Sequence, residues 1–151
     1  MRSTTTCISL SLALSLLAMA QEDAKKMTQW ALVVNTANPC KDTGDAAKAT
    51  IKRLFLKELT QWSGGLDAKP YAREAASAEH VAFLKLVLGM SEAELARHWL
   101  KMKNMSGTTP PKDVDSERML LKYIAKTPGA FGVVKIESAK GAEGVRVLFE
   151  F

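Results

Sequence analysis

The chain has 151 residues, 47% of them hydrophobic, with 21 Lys and Arg against 16 Asp and Glu for a formal charge of +5. This length suits one domain with a real core and is short for two. The cations are interleaved with acids, which argues against a basic stripe for nucleic acid, and two cysteines and two histidines without a C-x-x-C pair argue against a metal cluster.

The chain opens MRSTTTCISLSLALSLLAMAQEDA. One basic residue, an apolar run from Ile8 to Leu17 and Ala18-Met19-Ala20 are the three parts of a secretory signal peptide, with cleavage expected after Ala20. The apolar run is short for a membrane span. Cys7 precedes that run, so it is not placed as a lipid-modified cysteine. Cleavage removes Arg2 and no acid, so +5 becomes +4, and leaves Cys40 without an internal disulfide partner. A lone thiol could pair between chains, but a quiet, partly buried one is the expectation. Residues 21–29 are then a short lead and residues 30–151 a single domain, expected in the periplasm.

WALVVN (30–35) is a continuous apolar run rich in β-branched residues, which predicts a strand covered on both faces. Asn35 and Asn38 are placed to close the turn after it through side-chain bonds to backbone. From Ala46 to Glu58, Ala47, Ile51, Leu54 and Phe55 fall on one helical face. Trp62-Ser63-Gly64-Gly65 breaks that pattern, and KPYAR (69–73) is a short strand candidate. A helix is expected from about Ser77 to Leu88, with Val81, Leu84 and Leu88 on one stripe and Gly89 as its cap. Ser91 to Glu94 has the S-x-x-E form of a capping box for a further helix carrying Leu95, Trp99 and Met102.

Residues 104–112 (NMSGTTPPK) are a loop by composition. Ser116 can cap a helix with Leu120, Tyr123 and Ile124, which ends at Thr127 before Pro128-Gly129. AFGVVKI (130–136) and VRVLFEF (145–151) are two strands separated by a turn around Ala139-Lys140-Gly141. In the last one Val145, Val147, Phe149 and Phe151 alternate with Arg146 and Glu150, as expected of one face on a core. The pattern predicts an α/β fold, a small mixed β-sheet flanked by helices.

Six phrases then carry a resemblance: ALVVN…NP (31–39), IKRLFLKELTQWSGG (51–65), SAEHVAFLKLVLG (77–89), ARHW (96–99), SGTTPP (106–111) and TPGAFGVV (127–134). In order and spacing across about residues 30 to 151 they resemble the phosphate-type solute-binding proteins of ABC importers. Classical members are two-lobed and close on their ligand, whereas this chain resembles one lobe of a type II periplasmic binding protein. The resemblance implies that the turn after the KPYAR strand faces a phosphate or similar small oxyanion, with Arg73 pairing with it and Ser77 donating a hydrogen bond. The family's glycines are replaced by Ala76 and Ala78, and its threonine by Glu79.

The helix starting near Ser77 offers free amide donors and the positive end of its dipole, which attract anions. Glu79 competes for the same field and would repel a second anion. His80 could restore positive character when protonated. The plainer account is that Ser77 merely caps its helix, Glu79 satisfies the dipole and His80 lies on the solvent face. The ligand-binding set is accordingly Arg73, Ser77, Ala78, Glu79 and His80. No cofactor or metal is implied, and no nucleophile–base pair or carboxylate dyad marks an enzyme. Trp62 and Trp99 are expected in the core, Ser106 to Thr109 in a loop, and Gly129 and Gly132 where a side chain is excluded.

Two functions follow. One is a periplasmic phosphate- or oxyanion-binding protein associated with ABC-type phosphate transport, with an importer's membrane component as a partner. The other is a single-lobe interaction module of the cell envelope that has lost its solute. A homodimer pairing two half-clefts would join the two.

Overall fold

The structure, a computed structural model, describes residues 29–151. The expected signal peptide with its cleavage site, Cys7 and nearly all of the expected lead lie outside the described residues. Among the described residues ten elements follow one another: β1 (Trp30–Asn35), α1 (Gly44–Phe55), β2 (Lys69–Ala72), α2 (Ala78–Phe83), which runs on as a π-helical segment Leu84–Leu88, α3 (Glu92–Ser106), β3 (Lys112–Asp113), α4 (Glu117–Lys126), β4 (Ala130–Lys135), α5 (Ile136–Lys140) and β5 (Val145–Glu150). The five strands form one sheet in the order β3-β2-β4-β1-β5. β2 runs parallel to both β3 and β4, while β1 is antiparallel to β4 and β5. The expected small mixed sheet flanked by helices is therefore present.

Successive residues of β1 feed opposite faces, which is why its sequence shows no alternation. Leu32 and Val34 join Ile51, Leu54, Phe55, Phe83, Leu88, Trp99 and Phe131 beneath α1, α2 and α3. Ala31 and Val33 join Leu120, Ile124 and Ala139 beneath α4 and α5. Phe55 meets the rings of Phe83 and Trp99 edge-on, with centroids 5.0 and 6.4 Å apart. Cys40 is buried in the first of these clusters, and burial pushes its thiol pKa up, in keeping with an unreactive group.

The caps read from the sequence are formed. The Ser91 hydroxyl accepts from the Glu94 amide while the Glu94 carboxylate accepts from the Ser91 amide, and Ser116 accepts from Met119 N. Gly89 ends the α2 segment at φ 62°. Asn35 Oδ1 accepts from Ala37 N, and Asn35 Nδ2 reaches across to the carbonyls of Ile124 and Ala125, tying the end of β1 to the end of α4.

Several boundaries differ from the sequence-based expectation. The first helix stops at Phe55 and not at Glu58, because Lys57 adopts a left-handed conformation (φ 60°). Glu58 N then donates to Arg53 O and Lys57 N to Leu54 O, the paired bonds of a Schellman ending with lysine where glycine is usual. The α2 segment widens to π geometry at Leu84–Leu88, keeping Leu84, Val87 and Leu88 all buried, while Val81, expected on the same stripe, is exposed. α3 continues through Asn104 to Ser106 and ends at Gly107 (φ 67°), so the loop is shorter than its composition suggests. The turn expected around Ala139-Lys140-Gly141 is largely the short helix α5, and the two-residue edge strand β3 had no expectation.

β5 departs most. Its pairing with β1 shifts between Leu32 and Val33: Val33 faces Val147 but Leu32 faces Phe149. The extra residue, Leu148, is a β-bulge, and a one-residue slip turns the following side chains to the other face. Val145 and Val147 pack against the α4–α5 side, whereas Phe149 and Phe151 belong to the α1–α3 side. The single apolar face expected for this strand is thus split between two.

Trp62 is buried where expected, edge-on to Phe131 at 5.4 Å, and its Nε1–H donates to Gly129 O at 2.9 Å. Trp62→Phe should lower stability by about 1–2 kcal/mol, the worth of a buried hydrogen bond plus a small void. Urea denaturation checks this; an unchanged midpoint would show that the indole bond contributes nothing.

Candidate functional site

β2 ends at Ala72, and Arg73 leaves it at the carboxyl end of a strand flanked on both sides by parallel neighbours. In α/β sheets, crevices for ligands form at such ends. The chain then turns through residues 74–77, closed by Ser77 N donating to Glu74 O at 2.9 Å, and enters α2. Ser77 is in extended conformation, and its hydroxyl accepts from His80 N at 3.3 Å, so it caps the helix.

The Arg73 guanidinium folds back over this turn. Its Nε and Nη2 both donate to Glu79 Oε1, at 2.9 and 2.8 Å. Its Nη1 donates to the carbonyls of Val114 and Asp115, in the connection from β3 to α4. Four hydrogen bonds from three nitrogens hold the group, and they join the end of β2, the start of α2 and the entry to α4. Both side chains of the pair are only 10% exposed. Burial raises the Glu79 pKa, but a bond from its own backbone amide, the bonds and charge of Arg73 and the charge of Lys135 outweigh it. The net result is a carboxyl held below its ordinary range, ionised at neutral pH.

His80 does not join this cluster from the solvent. It is buried, 6% exposed, and its Nε2 lies 3.0 Å from Glu92 Oε2 at the start of α3. Its ring therefore links α2 to α3. Ala78 is exposed in the first turn of α2 and brings no polar group. The structure thus brings Arg73 and Glu79 together, joins Ser77 to the His80 amide, and directs the His80 ring to a different partner.

Behind the pair lies a crevice lined by Leu32, Phe55, Tyr71, Arg73, His80 and Phe131, among others, with a volume of about 10 Å³. That is space for one water and not for a tetrahedral oxyanion. A free oxyanion at Arg73 would have to take the guanidinium edge on which Glu79 sits.

Three contributors carried no expectation: Lys135, at the carboxyl end of β4 and close enough to act on the Glu79 charge, and the carbonyls of Val114 and Asp115. Lys135 had a visible sign, as the first charge after five apolar strand residues. The carbonyls had none, since they lie 41 and 42 residues from Arg73. Elsewhere, Ser106 and Thr108 bond to each other through their hydroxyls. Among the described residues no group of three or more His, Cys, Asp or Glu could hold a metal ion, and no helix is long and apolar enough to cross a membrane.

No protein-family model and no curated protein sequence matches the chain. Solved structures do. An ABC-type phosphate transport receptor from Vibrio cholerae superposes with a TM-score of 0.59 at 24% identity, over 80% of this chain and 45% of the receptor. A putative phosphate ABC transporter substrate-binding protein with bound phosphate, from Clostridium perfringens, gives 0.60 at 19% identity over 80% and 44%. PstS from Borrelia burgdorferi gives 0.59 at 12% identity over 80% and 46%. The chain spans less than half the length of these proteins, and its fold is that of a single lobe of the type II periplasmic-binding-protein architecture.

Proposed function

We propose that the chain is a binding protein and not an enzyme: a single-lobe oxyanion-binding-like protein that works outside the cytoplasm alongside ABC-type phosphate uptake. The ligand-facing turn is Arg73 with Ser77 to His80. The observation that carries this reading is the guanidinium itself, held at the carboxyl end of β2 beside the start of α2. Its fold is that of proteins which include a phosphate-bound one. The signal-peptide pattern of residues 1–20 supports export to the periplasm. The partners are phosphate or a similar small oxyanion and a membrane component of an importer.

A lone lobe binds weakly, because an anion leaving water needs hydrogen bonds from most directions and one lobe supplies only half. Calorimetric titration of the purified protein with phosphate, sulfate and arsenate tests the reading. Arg73-dependent binding is expected at millimolar or weaker affinity, a binding free energy of about −4 kcal/mol or closer to zero. A folded protein with no heat at tens of millimolar of any of these anions would refute it.

One observation favours a second reading, an interaction module of the cell envelope that has lost solute binding. Arg73 already holds a carboxylate from its own chain. On that reading crosslinking captures a stoichiometric protein partner, or a second copy of this chain, and Arg73→Gln leaves the crosslink intact.

A further inference from the structure

We propose that Glu79 is a tethered ligand of Arg73, a carboxylate that takes the place of an incoming oxyanion and so sets the selectivity of this turn against free phosphate. The inference rests on the reading of Arg73 as the ligand-facing residue and goes one step further, by naming what controls access to it.

A carboxylate is itself an oxyanion, and Glu79 Oε1 receives the two parallel donors, Nε and Nη2, that an anion's oxygen would use. The pair is 90% screened from solvent, where an ion pair is little weakened by salt. Glu79 lies six residues from Arg73 in the chain, and a short closed turn joins them. An intramolecular group on so short a tether competes at an effective concentration of about millimolar or more. A free anion at micromolar level therefore loses to it unless it binds the guanidinium about a thousandfold more tightly than a carboxylate does.

Charge points the same way. With Glu79 in place, its carboxylate answers the charges of both Arg73 and Lys135. Without it, two cationic groups share that end of the sheet with no acid directly on the guanidinium. Asp115 faces Arg73 through its backbone carbonyl, and Glu117 is engaged with Lys135 N and Ser138 Oγ. Substituting Glu79 by a small donor residue would thus convert an internally neutralised pair into a cationic recess that suits a doubly charged tetrahedral anion.

The test is phosphate titration, by calorimetry at pH 7.5 and constant ionic strength, of the wild-type protein, Glu79→Thr, Glu79→Gln and the double variant Glu79→Thr/Arg73→Gln. Circular dichroism and thermal melts establish that each is folded. Glu79→Thr should bind phosphate at least tenfold more tightly than wild type, with sulfate as the competing arm, and the double variant should lose the gain. Glu79→Gln keeps the shape and one acceptor for Arg73 while removing the charge, so it should fold even if the threonine variant does not, and should show a smaller gain.

If wild type binds phosphate through Arg73 and neither folded Glu79 variant binds more tightly, the tethered-ligand idea is overturned while the oxyanion reading stands. If wild type shows no binding and Glu79→Thr acquires it through Arg73, the tethered ligand is supported and the native chain falls to the interaction-module reading. If no variant binds, both fail.

Discussion

Arg73→Ala is expected to lower the stability of the folded chain by about 3 kcal/mol, the loss that follows when one member of a buried ion pair is removed. The side chain joins three segments, and its loss strands the Glu79 carboxylate with little water around it and leaves the Val114 and Asp115 carbonyls without their donor. For a domain of this size the melting temperature should fall by about 10 °C. Removing both partners relieves the stranded charge, so Arg73→Ala/Glu79→Ala should cost less than the two single changes together, with a coupling of about 1–3 kcal/mol.

The pH dependence has a defined sign. The folded Glu79 carboxyl titrates below its ordinary 4.5, so the stability it contributes is fully present above that value and is lost as pH falls through the lower, folded one. Wild type should therefore weaken on acidification below about pH 4.5, and Arg73→Ala should weaken less, since much of what depresses the carboxyl has gone. Denaturant melts of both proteins between pH 3 and 7 measure this. Equal stabilities and parallel acid slopes would mean that the pair does not form in solution, and the tethered-ligand proposal would go with it.

Gly129→Ala is the second large effect. A methyl group at this position would lie 1.8 Å from the Asp67 carbonyl oxygen, well inside any tolerable contact. Gly129 O also accepts both Lys69 N and Trp62 Nε1, at 2.9 Å each, so a backbone shift to make room would disturb the start of β2 and the Trp62 anchor together. A loss of about 3 kcal/mol or more is expected, at the upper end of overpacking effects. Gly141→Ala is the control. It ends α5 at φ −100°, with nothing within 4 Å of its added carbon, and should change stability by less than about 0.5 kcal/mol. If the two alanine variants melt alike in urea, the close approach of residues 67 and 129 is wrong.

Features that depend on neighbours in the chain were legible in the sequence. The capping serines at 77, 91 and 116, the two-faced burial of β1, the helical stripe ending in Leu54 and Phe55, and glycine at 129 as a place with no room for a side chain all follow from local patterns. Local signals failed where the chain used an uncommon residue for a common job. Lys57 ends α1 in a conformation that glycine usually supplies, so nothing marked the stop. Five residues are too few for periodicity to distinguish a π segment from an α-helix at Leu84–Leu88. The alternation of β5 looked regular because a bulge is an event between two strands, visible only once β1 lies beside it.

The candidate site divides in the same way. Arg73 and Ser77 stood out through the family resemblance, and Glu79 stood out as a charge in the wrong place for an anion-binding turn. Sequence by itself determined which kinds of element form, where most of them begin and which residues carry charge near the turn, because those properties rest on contacts within a few residues. Only the tertiary structure decided where the charges point: Arg73 onto Glu79 and two distant carbonyls, His80 away to Glu92. A long side chain chooses its direction from whatever donors, acceptors and apolar walls the rest of the fold packs around it, and no local pattern encodes that choice.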